Sequence, residues 1–133
     1  MAPLEHEPLL LYIAPTNKVV ISVIVVERKE EGKEHPVQRP VYYISECLTE
    51  SKQRYPHYHK LVYGVFFASR KLHHYFMGHS ITVVSANPLA GIIRNREATG
   101  RVAKWAVELN NFTITYEPRR AIKSQDLTDF FTD

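Results

Sequence analysis

One cysteine, Cys47, stands among 133 residues, so the chain has no intramolecular disulfide, and a reducing compartment is expected. No apolar run approaches the ~20 residues that a membrane-spanning helix needs. The start, Met1 to Leu11, carries Glu5 and Glu7 and no arginine, unlike a secretory or transit peptide. A soluble protein of the cytoplasm or nucleus is expected, with no membrane partner. Acidic residues are unevenly scarce. Residues 8–26 contain no Asp or Glu, and neither do residues 51–96. Neither stretch can therefore contribute a carboxylate as ligand, acid or base. With 44% hydrophobic and 23% charged residues, the composition is that of one globular domain spanning 1–133. The net charge of +3 and pI near 9.0 make it mildly basic, which serves solubility as readily as a nucleic-acid partner.

The centre of the pattern is the stretch from Arg54 to Leu61 and the helix it opens. From Tyr58 the apolar residues fall at Leu61, Val62, Val65, Phe66, Leu72, Tyr75 and Phe76, the spacing of one broad buried helix face. Pro56 suits the first turn, and Gly78 is the expected stop. Before it, Leu9 to Ala14 reads as a short apolar strand, ended by a turn at Pro15–Lys18. Val19 to Val26 is a β-branched run expected as a strand buried on both faces. Glu27 to Glu34 is a solvated loop around Gly32. Val37 to Ile44 follows as a strand whose Pro40 predicts a sheet edge or a bulge.

After the helix, Ser80 to Ser85 is a fourth strand, and Asn87-Pro88 opens a short helix through Ile93. Arg101 to Asn110 has helical spacing at Val102, Trp105, Ala106 and Leu109, which makes Trp105 a core residue before a base-stacking one. Phe112 to Tyr116 alternates with period two, as a half-buried strand does. Residues 118–124 are a basic connector, and Gln125 to Phe131 can form a terminal helix with Leu127, Phe130 and Phe131 inward. The order β-β-β-α-β-α-α-β-α is mixed α/β, an antiparallel meander followed by strands joined through helices.

The wording of the chain is also informative. LLLYIA (9–14), RPVYYISECLTESKQRYPHYHKL (39–61), SRKLHHYF (69–76), NPLAGII (87–93), GRVAKWAVELNNFTITYEPR (100–119) and IKSQDLTDF (122–130) cover most of it. These stretches resemble the RNase H domain that follows reverse transcriptase in plant Ty3/gypsy-type retrotransposons. The resemblance implies an RNase H-like fold, a five-stranded mixed sheet flanked by helices. It also implies the family's chemistry, hydrolysis of RNA in an RNA–DNA hybrid by four carboxylates that hold two Mg²⁺ ions. Magnesium requires hard oxygen ligands, and two such ions ~4 Å apart stabilise the attacking and leaving oxygens.

Most of those acids are replaced. Where the family has Asp on the first strand, this chain has Ile13; where it has Glu on the central helix, His59; where it has Asp after the fourth strand, Ala86. Asp129 alone keeps its place. One carboxylate cannot hold two magnesium ions, so no hydrolase activity and no cofactor are expected. The chain also resembles the degenerate first copy of tandem RNase H domains in some such elements, which acts as a tether. That likeness implies a protein-interaction module, a tether, adaptor or inhibitor, with a protein partner or self-association. Tyr42, Tyr43, Phe130 and Phe131 are its candidate anchors. A second expectation is hybrid or duplex binding without cleavage through Arg101, Lys104, Arg119, Arg120 and Lys123. A third is a hydrolase with a remade metal site at His59 and Asp129. The remaining histidines do not join it, because His57 and His59 lie about four helical turns, roughly 20 Å, from His73 and His74. Cys47 reads as a buried small hydrophobe.

Overall fold

In the computed structural model the chain is described over residues 2–85, 89–93 and 100–118. Three antiparallel strands open it: β1 (Leu9–Pro15), β2 (Val19–Arg28) and β3 (Val37–Cys47). Helices α1 (Glu50–Gln53), α2 (His57–Lys71) and α3 (His73–Gly78) lead to β4 (Ile81–Ser85). Helices α4 (Leu89–Ile93) and α5 (Gly100–Leu109) then lead to β5 (Ile114–Pro118). The sheet order is β3-β2-β1-β4-β5, with β4 parallel to β1 and β5 parallel to β4. This is the expected five-stranded mixed sheet with flanking helices.

Strand periodicity divides the core. Leu9, Leu11 and Ile13 of β1 face the helices and join the buried side chains of α2, α3, α4 and α5. Tyr12 points the other way, into a smaller cluster with Val23, Val25 and Val84. The β2 run is buried from Val23 to Val26, as its lack of alternation predicts. Pro40 acts in both of the ways expected of it. The strand lies at the sheet edge, and pairing skips Val41 between Tyr42↔Ile24 and Pro40↔Val25, a bulge where proline has no N–H to give.

Four local expectations need correction. The central helix is not continuous to Phe76. It breaks at Leu72 (φ −115°, ψ 39°), a bend that lets Leu72 and Phe76 both reach the core. A further short helix, α1, precedes it, capped by Thr49 Oγ1 accepting from the Lys52 N–H. The last described strand starts at Ile114, since Phe112 is spent on the turn that closes α5 through its N–H to the Leu109 carbonyl. Cys47 is exposed, because strand alternation turns it away from the face on which its neighbour Glu46 reaches Tyr63 of α2. The terminal helix expected over Gln125 to Phe131 lies outside the described residues.

The N-terminal approach to β1 is fixed by an ion pair. Arg28 Nε and Nη2 donate to Glu7 Oε2 and Oε1 at 2.8 and 2.7 Å, and the Leu4 N–H donates to Oε1 at 2.8 Å. Chiefly through the Arg28 hydrogen bonds, the Glu7 carboxyl is lowered to about 2. A carboxylate shifted down contributes stability above the ordinary carboxylate range and loses it as pH falls toward about 2. The thermal midpoint of Glu7→Gln should therefore lie below wild type at pH 7 and converge on it near pH 2. A constant gap across that range would refute the assignment.

Candidate functional site

The ends of β1 and β4, with the face of α2 behind them, form the place where the resemblance puts its acids. Ile13 is 5% exposed and turned to α2. It meets the helix at Gly64, where a β-carbon would stand 2.6 Å from Ile13 Cγ2 and 2.9 Å from Val20 Cγ1. Glycine is what permits that approach. Ser22 Oγ, buried beneath it, donates to the Gly64 carbonyl at 3.2 Å. One turn earlier on the same helix face, Lys60 is 8% exposed and extends Nζ to the Thr16 carbonyl at 3.4 Å. The end of β1 is thus lined by isoleucine, valine, glycine and a lysine stem.

His59 does not face that end. Its Nδ1 accepts from Arg101 Nη1 at 3.2 Å, and its ring meets Tyr55 and Tyr58 edge-on. Burial, and then the Arg101 charge, hold the imidazole below the ordinary histidine range, so at neutral pH it is the acceptor. The helix position that turns toward the end of β1 is its neighbour Lys60. Ala86 and Asp129 lie outside the described residues, as do Arg119, Arg120, Lys123, Phe130 and Phe131. Among the described residues, no three His, Cys, Asp or Glu side chains are grouped closely enough to hold a metal ion. No helix among them is long and apolar enough to cross a membrane.

The chain belongs to the RNase H-like domain family found in reverse transcriptase, which it matches over residues 6–112. No curated protein is similar enough to count as a match. Solved structures of similar fold come from foamy virus. A foamy viral protease-reverse transcriptase in complex with double-stranded DNA is 17% identical, with a TM-score of 0.62 over 90% of this chain. The native prototype foamy virus enzyme is 14% identical, with a TM-score of 0.62 over 90%. A foamy viral complex with an RNA/DNA hybrid is 19% identical, with a TM-score of 0.58 over 86%. This chain spans 22%, 16% and 15% of those three chains, so the likeness bears on the fold of one domain.

Two further surfaces of this RNase H-like domain matter. Tyr42 and Tyr43 on β3 are 52% and 66% exposed, and their partners Ile24 and Val23 belong to opposite faces of the sheet, so the two rings flank its edge. The second surface is a groove of about 620 Å³ between α2 and α5. These helices run side by side in the same direction, with Arg101 at His59 near their starts and Arg70 on Glu108 at 2.9 Å near their ends. Trp105 is 7% exposed and packs on Tyr55, Tyr63 and Phe66 with ring centroids 5.4 to 6.0 Å away, so it belongs to the core as its spacing predicts. Cations cover the rings: Arg101 over Tyr55 at 4.1 Å, Lys52 over Tyr63 at 4.5 Å, Arg70 over Phe66 at 4.6 Å and Lys71 over Phe67 at 5.7 Å. The Tyr63 hydroxyl is bound at both ends, donating to Glu46 and accepting from Lys52 Nζ at 2.9 Å. From this groove the sequence singles out Arg101 alone as a binding residue, with Trp105 and Phe66 read as core. A signal was present, since Phe66 and Arg70, like Phe67 and Lys71, stand four residues apart and share a helix face.

Proposed function

We propose that this domain is a non-hydrolytic member of its family that works by binding protein, as a tether, adaptor or inhibitor. The observation that carries the reading is Ile13, buried against Gly64 where the first metal-binding acid of the family would stand. The residues around it do not fit magnesium. They offer hydrocarbon, a serine hydroxyl spent on the Gly64 carbonyl and a buried lysine, whereas magnesium needs several hard oxygens. A cation beside the site opposes a second one, so no catalytic step is assigned to it. The remade centre at His59 and Asp129 is set aside for the same reason, since Arg101 already holds His59 Nδ1. A binding role is supported by β3, the edge strand of the sheet among the described residues, whose outer side carries Tyr42 and Tyr43 and is of the kind that accepts a further strand.

The test is a labelled RNA–DNA hybrid followed by gel while Mg²⁺ and Mn²⁺ are titrated against the purified protein. The hybrid should stay intact throughout. Cleavage that disappears in Asp129→Asn would overturn the reading. One observation favours a second reading, binding of hybrid or duplex without cleavage: Arg101 and Lys104 are both exposed on α5. Two of the similar foamy viral structures are complexes, one with double-stranded DNA and one with an RNA/DNA hybrid. A shifted but uncut band whose affinity falls steeply with salt would promote that reading.

A further inference from the structure

We infer that the α2–α5 groove docks a short acidic protein segment bearing aromatic or leucine side chains. The inference rests on the protein-binding reading and names the chemistry of the partner. A volume of about 620 Å³ is of the size that accepts a few side chains. Its floor is apolar, because Trp105 and Tyr63 are buried and the Tyr63 hydroxyl already has both its partners. Its rim is cationic. Among the described residues Lys71 and Arg101 have no carboxylate partner, and both are exposed. They stand near opposite ends of the groove: Arg101 of α5 lies at His59 of α2, and from His59 to Lys71 the helix rises roughly 18 Å, the reach of about five or six extended residues.

Charge complementarity selects the acidic segment over other occupants. Nucleic acid is the other polyanion that such a rim could attract. A phosphate backbone, however, needs an unbroken positive track, and Glu46 in the groove with Glu108 on Arg70 interrupts it. A peptide can set its acids opposite Lys71 and Arg101 and keep neutral side chains beside Glu46. Its apolar side chains then replace water over Phe66 and Phe67, which are half-buried.

Random 12-residue peptides displayed on phage, selected at low salt against the whole protein, supply the probe. The expected winners carry Asp or Glu flanking Phe, Trp or Leu. Their affinity should fall at least tenfold in the double variant Lys71→Glu/Arg101→Glu, and by a smaller factor in Lys71→Glu alone, whose thermal midpoint should match wild type because Lys71 meets only the Phe67 ring of its own helix. No enrichment, winners without acids, or affinity unmoved by the double variant would overturn the inference. So would single-stranded dT12 or a 12-base-pair RNA–DNA hybrid binding more tightly than the winners and losing affinity in the same variant. Failure of the non-hydrolytic reading appears separately, as cleavage of the hybrid.

Discussion

Replacing Ile13 by aspartate should destabilise the domain by about 3–5 kcal/mol at pH 7, the cost of burying a charge without its compensation. The side chain at this position is 5% exposed and packs on Gly64 and Val20. Water cannot follow a carboxylate there, and the nearest cation, Lys60, is already extended to the Thr16 carbonyl. The burial raises the carboxyl above its ordinary range. An acid raised on folding costs stability once pH exceeds its unfolded value, and the cost disappears as pH falls below that value. Ile13→Asn supplies the comparison, since it loses packing but has no proton to lose. In urea melts the gap between the two variants should be wide at pH 7 and close toward pH 4. Added Mg²⁺ should not restore the aspartate variant, because His59 and Ala86 still offer no carboxylate. Equal stability of the aspartate and asparagine variants at pH 7, or recovery with millimolar Mg²⁺, would mean that the position still belongs to an open metal site.

The same residue shows how far the sequence could be read. Hydrophobic periodicity and turn residues suffice for the strands, because β1 and β2 must bury what they carry and Pro40 can pair on one side only. The absence of acids in residues 8–26 and 51–96 is equally plain, since no register can supply what the segment does not contain. Direction is what a sequence leaves out. His59 and Lys60 are neighbours, and adjacent residues on a helix point about 100° apart, so only the packing of α2 decides which one meets β1. The contact at Gly64 decides it in favour of Lys60. The break at Leu72 was hidden for a related reason. Leu72 and Phe76 keep helical spacing whether or not the axis bends between them, and the bend follows from the sheet they must both reach. The α2–α5 groove needed two helices distant in sequence to be set side by side, with Arg101 brought to His59 and Glu108 to Arg70. Each helix alone shows only an ordinary amphipathic face.

Gly64→Ala should destabilise the domain by about 1–3 kcal/mol, opposite in sign to the usual effect of that change inside a helix. Alanine exceeds glycine in helix propensity by about 1 kcal/mol, mainly through the entropy of the unfolded chain. Position 64 reverses this because the new β-carbon would lie 2.6 Å from Ile13 Cγ2 and 2.9 Å from Val20 Cγ1. Both neighbours are β-branched, buried and carried on paired strands, so neither can swing aside cheaply. The helix must instead lift from the sheet, which lengthens the Ser22–Gly64 hydrogen bond and loosens the packing behind it. Gly91 in α4 is the internal control, since a β-carbon there meets nothing within 4 Å. Gly91→Ala should leave stability unchanged or raise it by up to about 1 kcal/mol. Trimming the obstacle provides the decisive comparison. If Ile13 is what forbids the methyl group, Ile13→Ala and Gly64→Ala together should cost clearly less than the sum of the single changes. Additive losses, or a Gly64→Ala protein as stable as wild type, would show that Ile13 does not fill the space beneath α2. The place of the family's acid would then not be part of the core.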